Sequence, residues 1–131
     1  VSIETELDKA LATPDTVAKI IQAERDGVDA VVIDCMCDLG LMAARECVEI
    51  PVISQCEAMM NLACTLGHRY SILSVAEPMR TLFESQAKIY GAWEKYASTR
   101  TIGVPVTELA SETEAVSNTM LAQSIEAITT D

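Results

Sequence analysis

Apolar residues along this chain follow two alternating patterns. Short runs rich in β-branched residues, such as residues 30–33, are separated by longer stretches in which apolar residues recur with helical spacing. The first pattern is typical of buried strands and the second of amphipathic helices. Because the two alternate along the chain, they predict an α/β fold, with parallel sheets flanked by helices.

Local signals predict where individual elements begin and end. Thr13 and Pro14 predict a helix start, because threonine is a good N-cap residue and proline fits the first helical turn. Gly27 is expected to end that helix, and residues 1–11 are interpreted as a short helix or a loop covering the site. A capping box at residues 111–114 is expected to begin the last helix. The other expected elements are strands at 30–33, 51–54, 69–75 and 100–106, and helices at 39–47, 56–66, 78–93 and 115–131.

The order of these elements indicates a sheet that continues beyond the chain. The sequence begins with an amphipathic stretch and ends in a predicted helix, whereas a crossover helix normally leads to another parallel strand. We therefore expect flanking strands that the chain does not contain. Residues 67–69 are the best candidate for a hinge, which divides the chain into a first α/β half, residues 1–67, and an incomplete second half, residues 68–131.

Charge and composition narrow the classes of partner. The formal net charge is -11 over 131 residues, which argues against binding nucleic acid or an anionic membrane through bulk charge. It does not exclude a small anionic substrate, because backbone N–H groups can hold one locally. No apolar stretch approaches the roughly 18 residues that span a bilayer, so we expect neither a membrane span nor a signal peptide.

Cysteine and histidine usage points to free thiols. The chain has five cysteines, an odd number, and one histidine, His68. We interpret this as a protein of the reducing cytoplasm. A single histidine argues against a mixed Cys/His zinc site, and His68 is expected to cap the carbonyls of the helix before it. Three cysteines fall on apolar helical faces and are expected in the core: Cys47, Cys56 and Cys64.

Cys35 is the strongest candidate for chemistry, because it follows the expected strand at residues 30–33. Ligands of α/β proteins bind at the carboxyl ends of parallel strands, so a thiol there is placed to react. The backbone N–H groups of Met36, Cys37 and Asp38, with the next helix N-terminus, could lower its pKa and hold a substrate oxygen. The alternative is a cysteine that packs as a small buried hydrophobe.

Cys37 forms a Cys-x-Cys pair with Cys35, which is compatible with a redox or soft-metal site. Two thiols rarely complete a metal's coordination shell, so no metal is expected. Asp34 precedes Cys35, and its carboxylate should disfavour the neighbouring thiolate if it points into the site. Glu57 lies in the first turn of its helix, where the dipole favours an acid, and a structural role is expected for it.

The sequence VVIDCMCDLGLMAARE at residues 31–46 resembles the nucleophile segment of the hydantoin racemases, within the wider aspartate/glutamate racemase superfamily. Further segments match the same family in order, at residues 1–4, 27–30, 50–52, 57–58 and 66–71. The resemblance covers about residues 1–106. Any one of these segments is a weak signal, but the ordered set is specific.

The resemblance implies a fold of two similar α/β halves facing each other across a cleft, each with one cysteine at a strand end. Cys35 matches the first cysteine, and the second would follow a strand beyond Asp131. One thiolate removes a proton from the carbon next to a carbonyl, and the other thiol protonates the opposite face. The resemblance implies no cofactor, a small anionic or cyclic-imide substrate, and a homo-oligomer.

In a two-half fold the tip of the strand at residues 69–75 is expected to face Cys35. Ser74, Val75 and Ala76 end that strand and are candidates for substrate binding, with a turn role as the alternative for Ser74. Arg80 follows in the next helix, either as an anchor for a substrate anion or as a solvated surface residue.

Three other functions remain open from the sequence. A maleate-type cis–trans isomerase would use Cys35 as a nucleophile, and an arylmalonate-type decarboxylase would keep a single cysteine. A non-catalytic small-anion binder or thiol sensor is the alternative of another class. It predicts binding without turnover, or a Cys35–Cys37 product on oxidation.

Overall fold

The computed structural model describes residues 2–109 and 113–131. Val1 of the matched segment 1–4, and Ser111 of the expected capping box, lie outside the described residues. The helices are α1 (Glu6–Arg25), α2 (Leu41–Cys47), α3 (Gln55–Leu66), α4 (Met79–Ile89) and α5 (Thr113–Thr130). The strands are β1 (Val31–Ile33), β2 (Val52–Ser54), β3 (Tyr70–Ser74) and β4 (Tyr96–Thr101), with short 3-10 turns at Trp93–Lys95 and Val106–Glu108.

The strands form two small parallel sheets, which confirms the expected α/β class. In the first sheet β1 pairs with β2, and Ile33 lies opposite Ser54. In the second, β3 pairs with β4, and Ser74 lies opposite Thr101. Because each pair is parallel, the carboxyl ends of its two strands meet at one edge, where α/β proteins place their ligands.

A single hydrophobic core receives side chains from both halves of the chain. Hydrogen bonds also join the two halves: the Cys56 thiol donates to Gln86 Oε1, and the Tyr90 hydroxyl donates to Asp38 Oδ2. The division at residue 67 remains a prediction about organisation. The buried apolar residues of this core include Ile33, Leu41, Ala44, Val52 and Met60 from the first half and Met79, Leu82, Phe83, Ala87 and Ala92 from the second.

The helix start expected at Thr13 and Pro14 is wrong, because α1 runs without interruption from Glu6 and contains Pro14. Its N-terminus is a capping box in which Thr5 Oγ1 accepts the Asp8 N–H at 3.2 Å and Asp8 Oδ2 accepts the Thr5 N–H at 3.0 Å. Proline in a helix interior removes one backbone hydrogen bond. The stronger cap at Thr5 and the packing of the helix override that cost.

Two boundaries in the second half also differ from expectation. Helix α4 ends at Ile89 rather than near Trp93, because the left-handed φ of +70° at Gly91 turns the chain away. Strand β4 covers residues 96–101 rather than 100–106, since it begins where Tyr96 pairs with Tyr70. The backbone turns again at Gly103, with a φ of +68°.

Cys47, which was expected in the core, is exposed, and so are most of the large apolar residues of α5. Cys47 lies on the last turn of α2 and faces solvent, whereas Leu41 and Ala44 of that short helix point inward. Helix α5 buries Val116, but its other apolar residues remain between 42% and 85% exposed: Met120, Leu121, Ile125 and Ile128. The end of α5 is held instead by polar contacts, in which Asp131 Oδ2 accepts the hydroxyl of Ser71 at 2.8 Å.

Candidate active site

Cys35 lies just beyond the carboxyl end of β1 and is partly exposed. The Asp38 N–H donates to the Cys35 carbonyl at 3.0 Å, so residues 35–38 form a tight turn with Met36 and Cys37 at its centre. Cys37 is buried, at 3% exposure. A shallow cavity of about 310 Å³ follows β1 and reaches Cys35, with Lys19 among its other lining residues. The chemistry proposed for Cys35 therefore has an opening beside it.

The turn stabilises the Cys35 thiolate. The Cys37 thiol donates to the Cys35 sulfur and the Cys37 N–H adds a second hydrogen bond, and together they lower the pKa of Cys35 to about 6. Burial and the carboxylates of Asp38 and Asp34 oppose this decrease. The same contact raises the pKa of Cys37 well above that of an ordinary thiol. At neutral pH the pair is therefore a thiolate beside a thiol.

Asp38 shapes the turn from its buried carboxylate. Its Oδ1 accepts the Cys56 N–H at 3.0 Å, and its Oδ2 accepts the Glu57 N–H at 3.0 Å and the Tyr90 hydroxyl at 2.7 Å. These bonds satisfy free N–H groups at the start of α3. Of the three amides expected around the Cys35 sulfur, that of Cys37 reaches it and that of Asp38 binds a backbone carbonyl.

Cys56 is a neighbour of Cys35 that sequence reasoning placed only in the core. Ile33 pairs with Ser54 at the ends of β1 and β2, and Cys56 follows in the first turn of α3, close enough for the Cys35 charge to contribute to raising its pKa. Burial raises the pKa of Cys56 to about 12, with the Asp38 charge adding to the shift and Lys9 opposing it. The two short apolar runs that form β1 and β2 were the sequence signal that could have indicated this neighbour. Lys9 had no sequence signal.

Two buried polar atoms beside this edge have no hydrogen-bond partner within the described part of the chain. They are the hydroxyl oxygen of Ser54, which ends β2, and the Nε2 of Gln86, whose Oε1 accepts the Cys56 thiol at 3.3 Å. An unpaired buried donor costs about 1–3 kcal/mol. The edge beside Cys35 is therefore more polar than its cysteine-rich sequence indicates.

The second group of predicted site residues lies at the end of β3. Ser74 is buried, at 6% exposure, and its carbonyl accepts the Ile102 N–H at 2.9 Å. Ala76 packs against the same hydrophobic core that Cys35 borders, and Val75 between them is partly buried. The structure thus sets both strand-end turns on one core. The substrate contacts predicted for Ser74, Val75 and Ala76 remain predictions.

Arg80 is exposed and forms an ion pair with Glu77 on the same face, with 2.9 Å between Arg80 Nε and Glu77 Oε1. Such exposed pairs contribute little to stability. Its guanidinium would have to leave Glu77 to bind a substrate anion. In this structure Arg80 is therefore a solvated surface residue, as the second alternative had it.

Two other polar residues stabilise the elements around the site. The ammonium of Lys95 donates to the carbonyls of Cys64 and Gly67 at the end of α3, so the capping expected of His68 is performed by Lys95 instead. Glu57 forms a bidentate pair with Arg45, with N–O distances of 3.0 and 2.6 Å, which agrees with the structural role expected for it.

A larger cavity, of about 510 Å³, lies between β3 and α5 and includes His68, Arg69 and Asp131 in its lining. None of the predicted site residues borders it. Across residues 2–109 and 113–131, no group of three His, Cys, Asp or Glu side chains could hold a metal ion. Over the same residues, no helix is long and apolar enough to cross a membrane.

Comparison with known proteins decides the family. The family model described as Asp/Glu/hydantoin racemase matches residues 1–131. The chain belongs to this family. Hydantoin racemase of Rhizobium meliloti is 35% identical over 122 residues, which cover 93% of this chain and 51% of that protein. Hydantoin racemase of Pseudomonas sp. strain NS671 is 35% identical over 114 residues, or 87% of this chain and 46% of that protein.

Solved structures agree with the family and with the α/β fold. Allantoin racemase from Klebsiella pneumoniae matches with a TM-score of 0.93 and 30% identity, over 99% of this chain and 53% of that chain. Allantoin racemase from Pseudomonas fluorescens matches with a TM-score of 0.86 and 27% identity, over 93% of this chain and 52% of that chain. The resemblance seen at residues 31–46 is confirmed. The chain spans about half the length of the relatives it matches.

Proposed function

We propose that this chain carries the Cys35 side of a cofactor-independent racemase that moves a proton at the carbon next to a carbonyl. The observation that carries the proposal is the position of Cys35, at a strand end beside a cavity and in a tight turn where hydrogen bonding from Cys37 lowers its pKa. A thiol with an ordinary pKa of about 8.5 is mostly protonated at pH 7. The turn at residues 35–38 removes that obstacle.

The proposed reaction is a proton transfer in two steps. The Cys35 thiolate takes the proton from carbon, and the electron pair of that C–H bond moves onto the carbonyl oxygen to give an enolate. Backbone N–H groups at the strand ends stabilise the oxygen as its charge develops. An acid on the opposite face then donates its own proton to the carbon and becomes a base, while Cys35 keeps the proton that it has gained. In the reverse direction Cys35 is the acid.

The roles of the neighbouring residues follow from their contacts. Cys37 is a positioning residue, because it acts through the sulfur of Cys35. Asp38 holds the turn and the start of α3, while its charge opposes the thiolate. Met36 and the strand-end residues Ser74, Val75 and Ala76 are proposed to line the substrate.

We propose a hydantoin-type ring as the substrate class. The relatives are named for hydantoin and allantoin, and allantoin is itself a ureido-substituted hydantoin. The reacting carbon of such a ring lies between a carbonyl carbon and a ring nitrogen, so its proton is acidic enough for a thiolate base. A free Cys35 thiolate requires a reducing compartment, which supports a cytoplasmic location.

The test is deuterium incorporation at the stereocentre of a 5-substituted hydantoin, followed by NMR together with optical rotation. The protein assayed should contain residues 1–131 within a polypeptide as long as the relatives. We expect exchange and loss of optical rotation with the native sequence, none with Cys35→Ser, and native behaviour for Cys47→Ser, which changes an exposed thiol. No exchange by the native protein, or full exchange by Cys35→Ser, would contradict the proposal.

A further inference from the structure

We propose that Cys35 and Cys37 are a peroxide-modified pair, which closes into a reversible disulfide in which Cys35 is oxidised first and Cys37 resolves it. The proposal concerns a covalent modification and does not depend on racemase activity. The two sulfurs have unequal functions, unlike the two ligands of a soft-metal site.

Geometry brings the two sulfurs together. The hydrogen bond from the Asp38 N–H to the Cys35 carbonyl closes the turn and keeps Cys35 and Cys37 on either side of Met36, near enough for Cys37 to affect the pKa of Cys35. Two residues apart, their Cα atoms can be separated by at most about 7 Å. The turn shortens that separation toward the range of about 4.4–6.8 Å in which disulfides form. The resolving thiol therefore needs no large backbone movement.

The two thiols differ in reactivity as the proposal requires. Peroxide reacts with thiolates, and Cys35 is the thiolate of the pair and is partly exposed. Cys37 is buried and remains a thiol chiefly because it donates to the Cys35 sulfur. Oxidation of Cys35 removes the negative charge that holds the Cys37 proton. The first step therefore prepares the second.

The chemistry balances with hydrogen peroxide as the only added oxidant. The Cys35 sulfur attacks one peroxide oxygen, so that an S–O bond forms, the O–O bond breaks and hydroxide leaves. The Cys37 sulfur then attacks the sulfenic sulfur, the S–S bond forms, the S–O bond breaks and the second oxygen leaves as water. The hydroxide takes the Cys37 proton, and the second oxygen takes the proton that Cys35 released to solvent when it ionised. Overall, two thiols and one peroxide give a disulfide and two waters.

The other cysteines are poorer resolving partners. Cys56 lies near Cys35 at the start of α3, but it is fully buried and its thiol donates to Gln86 Oε1 at 3.3 Å. Cys47 is exposed at the last residue of α2, outside the turn at residues 35–38. Of these cysteines, Cys37 is the one that shares the tight turn with Cys35.

The chain offers a clean measurement. Cleavage after Arg25 and Arg45 releases residues 26–45, which contain Cys35 and Cys37, while Cys47, Cys56 and Cys64 fall together in residues 46–69. The protein is treated with limiting hydrogen peroxide, denatured, alkylated with iodoacetamide and digested with trypsin. We expect peptide 26–45 to lose two hydrogens, to take up no alkyl group, and to recover both thiols after dithiothreitol.

A variant tests the assignment of roles. In Cys37→Ala, Cys35 should react more slowly because its pKa is higher, and under excess hydrogen peroxide it should advance to sulfinic acid, which dithiothreitol does not reverse. Cys47→Ala should behave as the native protein does. The proposal is overturned if native Cys35 becomes sulfinic acid while Cys37 remains alkylatable. A cross-link from peptide 26–45 to peptide 46–69 as the main product would overturn it too. The native protein alone decides the matter if Cys37→Ala does not fold.

Discussion

Replacing Asp38 with asparagine should destabilise the protein and at the same time make Cys35 more acidic. The Asp38 carboxylate is 4% exposed and accepts hydrogen bonds from the N–H groups of Cys56 and Glu57 and from the Tyr90 hydroxyl. The left-handed φ of 50° at this position is one that asparagine also tolerates. The substitution therefore changes charge and acceptors without straining the backbone.

The expected loss of stability can be worked from these contacts. A hydrogen bond to a charged group contributes about 1.5–3 kcal/mol, against about 1 kcal/mol for a neutral pair. Asparagine keeps one acceptor oxygen and turns an NH₂ group toward the remaining donors. We expect the free energy of unfolding to fall by about 3 kcal/mol, a large part of the roughly 5–15 kcal/mol typical of a domain.

Urea unfolding followed by circular dichroism measures the effect, and two variants sharpen it. Tyr90→Phe removes one bond to Asp38 and should cost about 1.5 kcal/mol, and combined with Asp38→Asn it should cost less than the sum. Asp34→Asn is the matched control, because its exposed carboxylate also raises the pKa of Cys35. Of the two aspartate variants, Asp38→Asn should lower stability and Asp34→Asn should leave it unchanged. A change in the free energy of unfolding of Asp38→Asn within about 0.5 kcal/mol of zero would contradict the stabilising role of these hydrogen bonds.

Three further predictions follow from the geometry. Cys37→Ala should raise the pKa of Cys35, because the thiol donor is lost; an unchanged midpoint of the thiolate ultraviolet absorbance would contradict this. Gly40→Ala should cost about 3 kcal/mol in urea unfolding, since its φ is +67° and a Cβ would lie 2.7 Å from a neighbouring methyl, whereas Gly91→Ala, in open space, should cost about 1; equal costs would count against it. Stability should also decline as pH falls below about 4, because the Arg100 guanidinium lowers the pKa of Asp131 below its value in the unfolded chain. A free energy of unfolding that does not change with pH in this range would exclude the contribution of Asp131.

Elements marked by strong periodicity were predictable from the sequence. The apolar runs and the glycine and proline positions located α2, α3 and the parallel strands β1 and β2 to within a residue or two. Cys35 was placed at a strand end for the same reason. The family could be named from residues 31–46, because its nucleophile segment combines that strand end with a specific residue order.

Features set by tertiary contacts were not predictable in this way. Pro14 looked like a helix start, since local signals do not show that the capping box at Thr5 is the stronger one. The cap on α3 comes from Lys95, which lies 28 residues beyond Gly67 in sequence. Cys47 has the spacing of a core residue, but α2 is too short to wrap that position against the core.

The site itself shows the same limit. Sequence reasoning expected backbone amides around Cys35, and the structure adds the thiol of Cys37 as a side-chain donor. It also directs the carboxylate of Asp38 to a helix start and to Tyr90, 52 residues away in sequence. Both features depend on how a turn packs against distant elements, which periodicity and residue type do not encode.

The pH dependence of deuterium incorporation tests the central claim most directly. The rate of exchange at the hydantoin stereocentre and the thiolate absorbance should be followed in the same protein, with Cys35→Ser subtracted from both. We predict that the rate rises with pH along the deprotonation of Cys35, with a shared midpoint near its pKa of about 6. A rate that rises only near the ordinary thiol value of about 8.5, or that persists in Cys35→Ser, would contradict a proton exchanged between this sulfur and carbon.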